Sequence, residues 1–515
     1  MARPVTQQVP PTTAVDSETS TRVPIWVLAI YCVGGAAYVM LFAGAITSYD
    51  SELLHALTIA PILFGLTIPI ALRIARTEHD RWFAHVIMAG FVVKFLGALV
   101  RYHIAYNFYG PGRTDSYQYH LAGQSFAPSF RRLVFTTEYG SLIGTSFIKV
   151  FTGGVYAVFG ISIPGGFFVF GWLSFLGLLL FARAFRLGVP GGDQRRYMIA
   201  VLFLPGLVYW PSSIGKEGFM MLALGLSAYG IAGVFQRRTS AVFALAAGIG
   251  GALLVRPHLA LIVFVGLVFA LLVRRAPAHS YAAPLVRIGG LVALLVLGLF
   301  VTSQTASFLG QPELTADTVS QQLAATSEQT SDGGSEFTPI DVNNPVAMFP
   351  AFITVFFRPF PIEVSSAQEL ASATEGLLLL GLLVAARKRI RSIPRLIRTQ
   401  PYVAFCIGYV LAFVFAFSSF ANFGILARQR VQAIPFLLVA LALPKFTDLV
   451  AEESPAAPTA TTAVVAAVAP APTATGRRRR RPTRRPVSSG ASFAPPPRPA
   501  VEATSSSHDS GLTTT

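Results

Sequence analysis

Ser141–Ile163, SLIGTSFIKVFTGGVYAVFGISI, is apolar enough to cross a bilayer, yet it carries Lys149 and runs into a break completed by Pro164, Gly165 and Gly166. Counting it as a crossing, or not, sets the side of every later loop. Counted, it places the cluster Arg183, Arg186, Arg195 and Arg196 outside, against the bias of basic residues toward the cytoplasmic face. Uncounted, it is a juxtamembrane or re-entrant helix on the outer face, permitted where protein or a water-filled cavity shields its backbone. We adopt the second reading.

The surrounding chain fits that choice. Its 515 residues are 53% hydrophobic and only 12% charged, with 41 Phe, which leaves too little polar surface for a water-soluble core. Runs suited to a hydrocarbon layer of roughly 30 Å fall at Ile25–Ile46, Leu53–Leu72, Ala84–Tyr106, Gly166–Arg183, Tyr197–Ser213, Gly218–Phe235, Ala241–Val255, His258–Val273, Ile288–Ser303, Gly376–Ala386, Tyr402–Phe420 and Val431–Leu443. If these twelve alternate, Arg73/Arg76/Arg81, Arg183–Arg196, Arg237/Arg238, Arg274/Arg275 and the basic run from Arg387 to Arg398 share one face, which the positive-inside rule makes cytoplasmic. Thr305–Phe357, acidic and without Lys or Arg, then lies outside.

The expected architecture is an all-α polytopic protein of the cytoplasmic membrane: about twelve transmembrane helices plus outward-facing juxtamembrane helices. Residues 1–22 form a polar cytoplasmic N-terminus without the pattern of a removable signal peptide. Residues 23–445 form the membrane domain, with outward loops at 107–165 and 305–372; Val346–Phe360 within the second reads as an interfacial element. Residues 446–515, rich in Ala, Pro, Thr and Ser, form a disordered cytoplasmic tail. The net charge of +16 collects at the ends of apolar runs and in Arg477–Arg485, so its partners are anionic lipid headgroups and not nucleic acid. Cys32 and Cys406 lie singly in apolar runs, which suggests neither a disulfide nor a thiolate metal site.

Ionisable residues near the outer face are the functional candidates, because charge near membrane depth is costly. In Gly110–Ala127, Arg113, Asp115, Tyr117, Tyr119 and His120 fall within eight residues. A carboxylate beside aromatic rings suits a sugar site, with rings on apolar sugar faces and the carboxylate taking a hydroxyl proton. Lys216 and Glu217, in Trp210–Gly218, start a helix where backbone N–H groups favour an anion. Arg256 and His258 flank Pro257 between two apolar runs, and Arg428 and Arg430, in NFGILARQR, are outside cations kept against the charge bias. Arg358 is a lesser candidate. There is no metal-ligand spacing, P-loop, GxSxG or dinucleotide fingerprint, so no cofactor or metal is expected.

This order of features resembles the GT-C class of membrane glycosyltransferases, including the protein-mannosyltransferase and aminoarabinose-transferase-like branches. The resemblance rests on Asp115-Ser-Tyr-Gln-Tyr119, then Val155-Tyr-Ala-Val-Phe159-Gly160, then Pro211-Ser-Ser-Ile-Gly-Lys216-Glu217. The last of these is also similar to a motif in bacterial O-antigen and exopolysaccharide polymerases. It implies a polyprenyl-linked sugar or glycan as substrate, Asp115 as base, and the cations as ligands of a phosphate or pyrophosphate. The acidic loop here follows the third span, not the first, and lacks a neighbouring second carboxylate. A transporter or flippase of an anionic lipid-linked glycan, or a scaffold of an envelope-synthesis complex, is the rival reading.

Overall fold

The computed structural model describes residues 36–447 apart from 37, 136–138, 274–282, 332–334 and 343. The N-terminal segment, the start of the first expected span, Arg274/Arg275 and the tail with its Arg run therefore lie outside the described residues. Regular structure among them is helical, apart from one β-bridge between Glu336 and Asn422.

In chain order the helices are α1 (Tyr38–Thr47), α2 (Ser51–Glu78), α3 (Trp82–His103, continued by a π turn Ile104–Phe108), α4 (Asp115–Arg131), α5 (Thr145–Phe159), α6 (Ile163–Gly188), α7 (Gln194–Phe203), α8 (Pro205–Tyr209), α9 (Lys216–Phe235), α10 (Ala241–Val255), α11 (Pro257–Val273) and α12 (Ala283–Phe308). They continue as α13 (Ala316–Thr330), α14 (Met348–Phe357), α15 (Ala367–Ala385), α16 (Arg387–Ile390), α17 (Ile393–Thr399), α18 (Pro401–Phe417), α19 (Phe423–Arg430), α20 (Ile434–Leu437) and α21 (Val439–Ala442).

Five of these are long and apolar enough to cross a membrane: α2, α3 with its π turn, α6, α9 and α15. The number is seven if the bent pairs α17/α18 and α19/α20–α21 each count once. The twelve expected spans are thus not twelve long helices. α10 and α11, of 15 and 17 residues, reach only about 22–26 Å at 1.5 Å per residue. The expected span Tyr197–Ser213 is divided at Leu204-Pro205. Proline lacks the N–H that would continue the helix and pushes the preceding residue out of helical geometry; Leu204 accordingly sits at φ −65°, ψ 127°. Glu375 accepts the Gly206 N–H exposed at the break at 2.6 Å, and Lys94 of α3 donates to the Leu207 carbonyl, which Pro211 leaves without a helical donor, at 2.7 Å.

Ser141–Ile163 forms α5, a 15-residue helix packed on α4. It stops at Gly160, whose φ of +92° favours glycine and whose missing Cβ leaves room for the His55 ring. Ser162 then caps α6, its hydroxyl accepting from Gly165 N–H at 3.0 Å, with Pro164 in the first turn. The expected interfacial element Val346–Phe360 is α14, which ends at Arg358.

α6 lies at the centre, enclosed by α2, α3 and α9. α6 and α9 run parallel: Gly218 lies against Phe170, Gly225 against Gly177, and Gln236 Nε2 donates to the Leu187 carbonyl at 3.0 Å. The contacts distinguish two ends. At one, Arg183 and Arg186 converge on Glu78 at 2.7 and 2.9 Å, and Arg389 pairs with Asp193 at 3.0 Å. At the other, Glu52 receives the Ile163 N–H at 3.2 Å, and Asp115, Glu217, Arg256 and Arg428 meet.

Candidate functional site

Asp115 is not in a loop. It is the first residue of α4, after an extended Thr114 and a turn carrying Gly110 and Gly112 at positive φ. A carboxylate there complements the helix dipole. Its side chain is 56% exposed, and Oδ2 accepts from Arg428 Nη2 at 3.0 Å.

Arg428, from α19, also donates Nε and Nη2 to Glu217 Oε1 and Oε2 at 2.9 and 3.0 Å, a bidentate pair. Glu217 in turn accepts from Arg256 Nη2 at 2.8 Å, and Arg256 Nη1 donates to Gln429 Oε1 at 2.6 Å. Four distant segments thus meet in one chain of charge, Asp115–Arg428–Glu217–Arg256. The second carboxylate that the sequence around Asp115 lacks is supplied by Glu217, linked to it through Arg428. The anion at the start of α9 is the chain's own Glu217, so that helix terminus is not an open ligand site.

A cavity of about 500 Å³ opens on Asp115. Arg113, Arg101, Arg428 and Gln429 line it, with the Glu369 carboxylate, with hydroxyls of Thr114, Ser213, Ser335 and Ser365, and with the rings of Tyr109, Trp210 and Phe423. Such a wall, cationic and rich in hydroxyls, suits a polyhydroxylated anionic ligand. Among the described residues no three His, Cys, Asp or Glu side chains converge as a metal site.

Several expected site residues lie elsewhere. Once α4 is a helix, Tyr119 and His120 fall on its packed face. Tyr119 is 3% exposed and lies against Gly215; burial, reinforced by the charges of Asp115 and Glu217, pushes its hydroxyl up to about 12. His120 Nδ1 is 2.9 Å from the Tyr156 hydroxyl, and burial lowers its pKa against the opposing charge of Glu52. Tyr117 packs between Tyr106 and His120. The rings that line the cavity are Tyr109, Trp210 and Phe423 instead.

Arg430, expected to hold a phosphate, is 1% exposed. It donates to the carbonyls of Phe356, Arg358 and Ser372, with Glu375 at 3.4 Å. The end of α14 leaves the Phe356 and Arg358 carbonyls without helical partners and draws the guanidinium inward. His258 faces a separate apolar cavity between α11 and α18. Lys216 is half-buried beside the cluster, outside the cavity lining. Arg358 pairs with Glu363 and lies over the Phe337 and Phe423 rings. Arg101 and Gln429 are the functional candidates that sequence reasoning missed. Arg101 reads there as a cation ending an apolar run, and Gln429 as the neutral residue between two arginines. No family model, no curated protein and no solved structure matches the chain.

Proposed function

We propose that the protein is a membrane glycosyltransferase, moving a sugar or glycan from a polyprenyl phosphate or pyrophosphate carrier to an acceptor on the outer side of the cytoplasmic membrane, in one version the growing glycan itself. The observation that carries this reading is the cavity at Asp115: an exposed carboxylate, hydroxyl-rich walls and cations share one space beside a groove fit for lipid. In the reaction the acceptor hydroxyl oxygen bonds to the anomeric carbon and the bond from that carbon to the phosphate oxygen breaks. The hydroxyl proton passes to Asp115, and the phosphate leaves with the electron pair, its developing charge met by the cavity's arginines.

The placement outside takes the passages at α1, α2, α3, α6, α7/α8, α9, α10, α11, α12, α15, α18 and α19–α21 as twelve crossings; the arginines paired with Glu78 and Asp193, at the end away from Asp115, then mark the cytoplasmic side. The short passages require a locally thinned bilayer or neighbours that cover their ends. Lys94, a buried charge within α3, is occupied in capping the α8 carbonyls.

Turnover of a polyprenyl-linked sugar by membranes containing Asp115→Asn tests the reading. A general base contributes about 10²–10⁴-fold, so a loss of that order is expected; full turnover would remove Asp115 as base.

A further inference from the structure

Beside the polar cavity runs an apolar groove of about 500 Å³, and Tyr109, Trp210, Gln368 and Ser372 line both. We propose that their seam is the binding site of a single-chain lipid phosphate, with the phosphate held by Arg101 and the chain laid between α3, α8 and α15.

The groove has the chemistry for a hydrocarbon chain. Val100, Ile104, Phe108, Pro205 and Ala371 line it, and Val100 and Phe108 are 52% and 77% exposed, so it opens sideways along α3. Glu375 lies at its floor without repelling such a chain. Its Oε1 accepts from Gly206 N–H at 2.6 Å and its Oε2 faces Arg430, so its charge is already met.

Arg101 has the chemistry for the phosphate. Its guanidinium lies 4.8 and 4.9 Å from the ring centroids of Tyr209 and Trp210, and Nη1 donates to the Tyr209 hydroxyl at 2.9 Å. Its Nε is buried and has no partner. Arg256, Arg428, Arg430 and Arg358 are each held by a carboxylate, whereas Arg101 has none among the described residues. A stacked guanidinium with N–H donors to spare is set to receive oxyanion oxygens. The Tyr109 hydroxyl donates to Gln368 Oε1 at 2.8 Å across the seam, tying the end of α3 to α15 beside the bound head. A lipid phosphate so placed has its head in the cavity of Asp115 and its chain in the groove. The inference rests on the transferase reading for the sugar that the head carries, not for binding.

Binding is measured on the full chain in nanodiscs, with a polyprenyl monophosphate, the matching polyprenol and inorganic phosphate as probes. The intact protein is expected to hold the lipid phosphate more tightly than either of the others. Arg101→Gln should weaken it roughly 10–100-fold, as expected for a charge-assisted contact, with Arg101→Lys recovering part of the loss and the polyprenol unaffected. Ala371→Trp, which fills the groove, should weaken both lipids. Equal binding of polyprenol and lipid phosphate by the intact protein, unchanged binding in Arg101→Gln, or inorganic phosphate matching the lipid would each overturn the proposal. Thermal melting of each variant separates loss of binding from loss of fold; if Arg101→Gln melts early, Arg101→Lys and Ala371→Trp carry the test. Lipid-phosphate binding without sugar transfer in the intact protein leaves this site standing and removes the transferase reading, whereas transfer that persists in Arg101→Gln does the reverse.

Discussion

Arg428 holds two carboxylates of very different exposure, and that difference separates stability from activity. Glu217 is 2% exposed and serves two guanidiniums. Glu217→Ala leaves Arg256 without a counter-charge at a buried position and Arg428 with Asp115 alone, and breaking such a buried pair costs about 3–5 kcal/mol. Early melting and low recovery of folded protein are expected. Asp115 is 56% exposed, and an exposed pair contributes about 0–1 kcal/mol, so Asp115→Asn should melt like the intact protein while its turnover falls. Equal melting of the two variants would show that Glu217 is not the keystone of the cluster. His120 adds a pH dependence. Burial depresses its folded pKa below the ordinary 6.5, so below that pH the unfolded chain binds the additional proton and stability falls as pH drops. Melting followed from pH 7.5 down to 5.5 should decline, and His120→Gln should flatten that part of the curve; an identical slope would assign it to other groups. The ionisable residues of the cluster were visible in the sequence, because charge in an apolar chain stands out. Their partners were not, since 313 positions separate Asp115 from Arg428. Arg101 stayed hidden because an arginine ending an apolar run looks the same whether it meets headgroups or a ligand.

At the scale of elements, the parallel contact of α6 and α9 depends on glycine. A Cβ on Gly225 would lie 2.4 Å from the Gly177 carbonyl oxygen, and one on Gly177 would lie 2.3 Å from that of Met221. These neighbours are backbone and cannot turn aside, so Gly225→Ala must part the helices. A cost of about 1–3 kcal/mol is expected, with a matching fall in turnover because α9 carries Glu217. Gly250 of α10 meets nothing within 4 Å, and there alanine should gain up to about 1 kcal/mol of helix propensity. Melting shifts of the same sign for both variants would contradict this packing. The long helices were legible in composition and run length, whereas α5 in Ser141–Ile163 has the same 15 residues as α10, so its length does not decide whether it crosses. Breaks within apolar runs were harder to read. Pro205 and Gly206 mark the α7/α8 division, but an apolar run that contains proline also describes α2, which carries Pro61 and Pro69 and stays whole. What separates the cases is tertiary: Glu375 accepts the Gly206 N–H that the break at Pro205 exposes, and Lys94 donates to the Leu207 carbonyl at the other end of α8.

The whole molecule is polarised along its long helices. One end gathers arginines on Glu78, Asp80 and Asp193, while the other holds Asp115, Glu217 and the cavity. If the chain crosses the membrane along this axis, the bias of basic residues toward the cytoplasm puts the cavity outside, where a nucleotide-activated donor is absent and a lipid-borne one is available. Orientation therefore bears directly on substrate class. Single cysteines in a Cys32→Ser, Cys406→Ala background, where no other cysteine remains, report it. Ser125, exposed on α4 at the cavity end, and Thr239, exposed between α9 and α10 at the basic end, are suitable positions. In intact cells a membrane-impermeant maleimide should label Ser125→Cys at once and Thr239→Cys only after permeabilisation. The opposite pattern would turn the cavity to the cytoplasm and favour a soluble donor over a polyprenyl carrier. Labelling of both from outside would mean that the two ends do not lie on opposite sides of the membrane, and the twelve-crossing arrangement would fail with it.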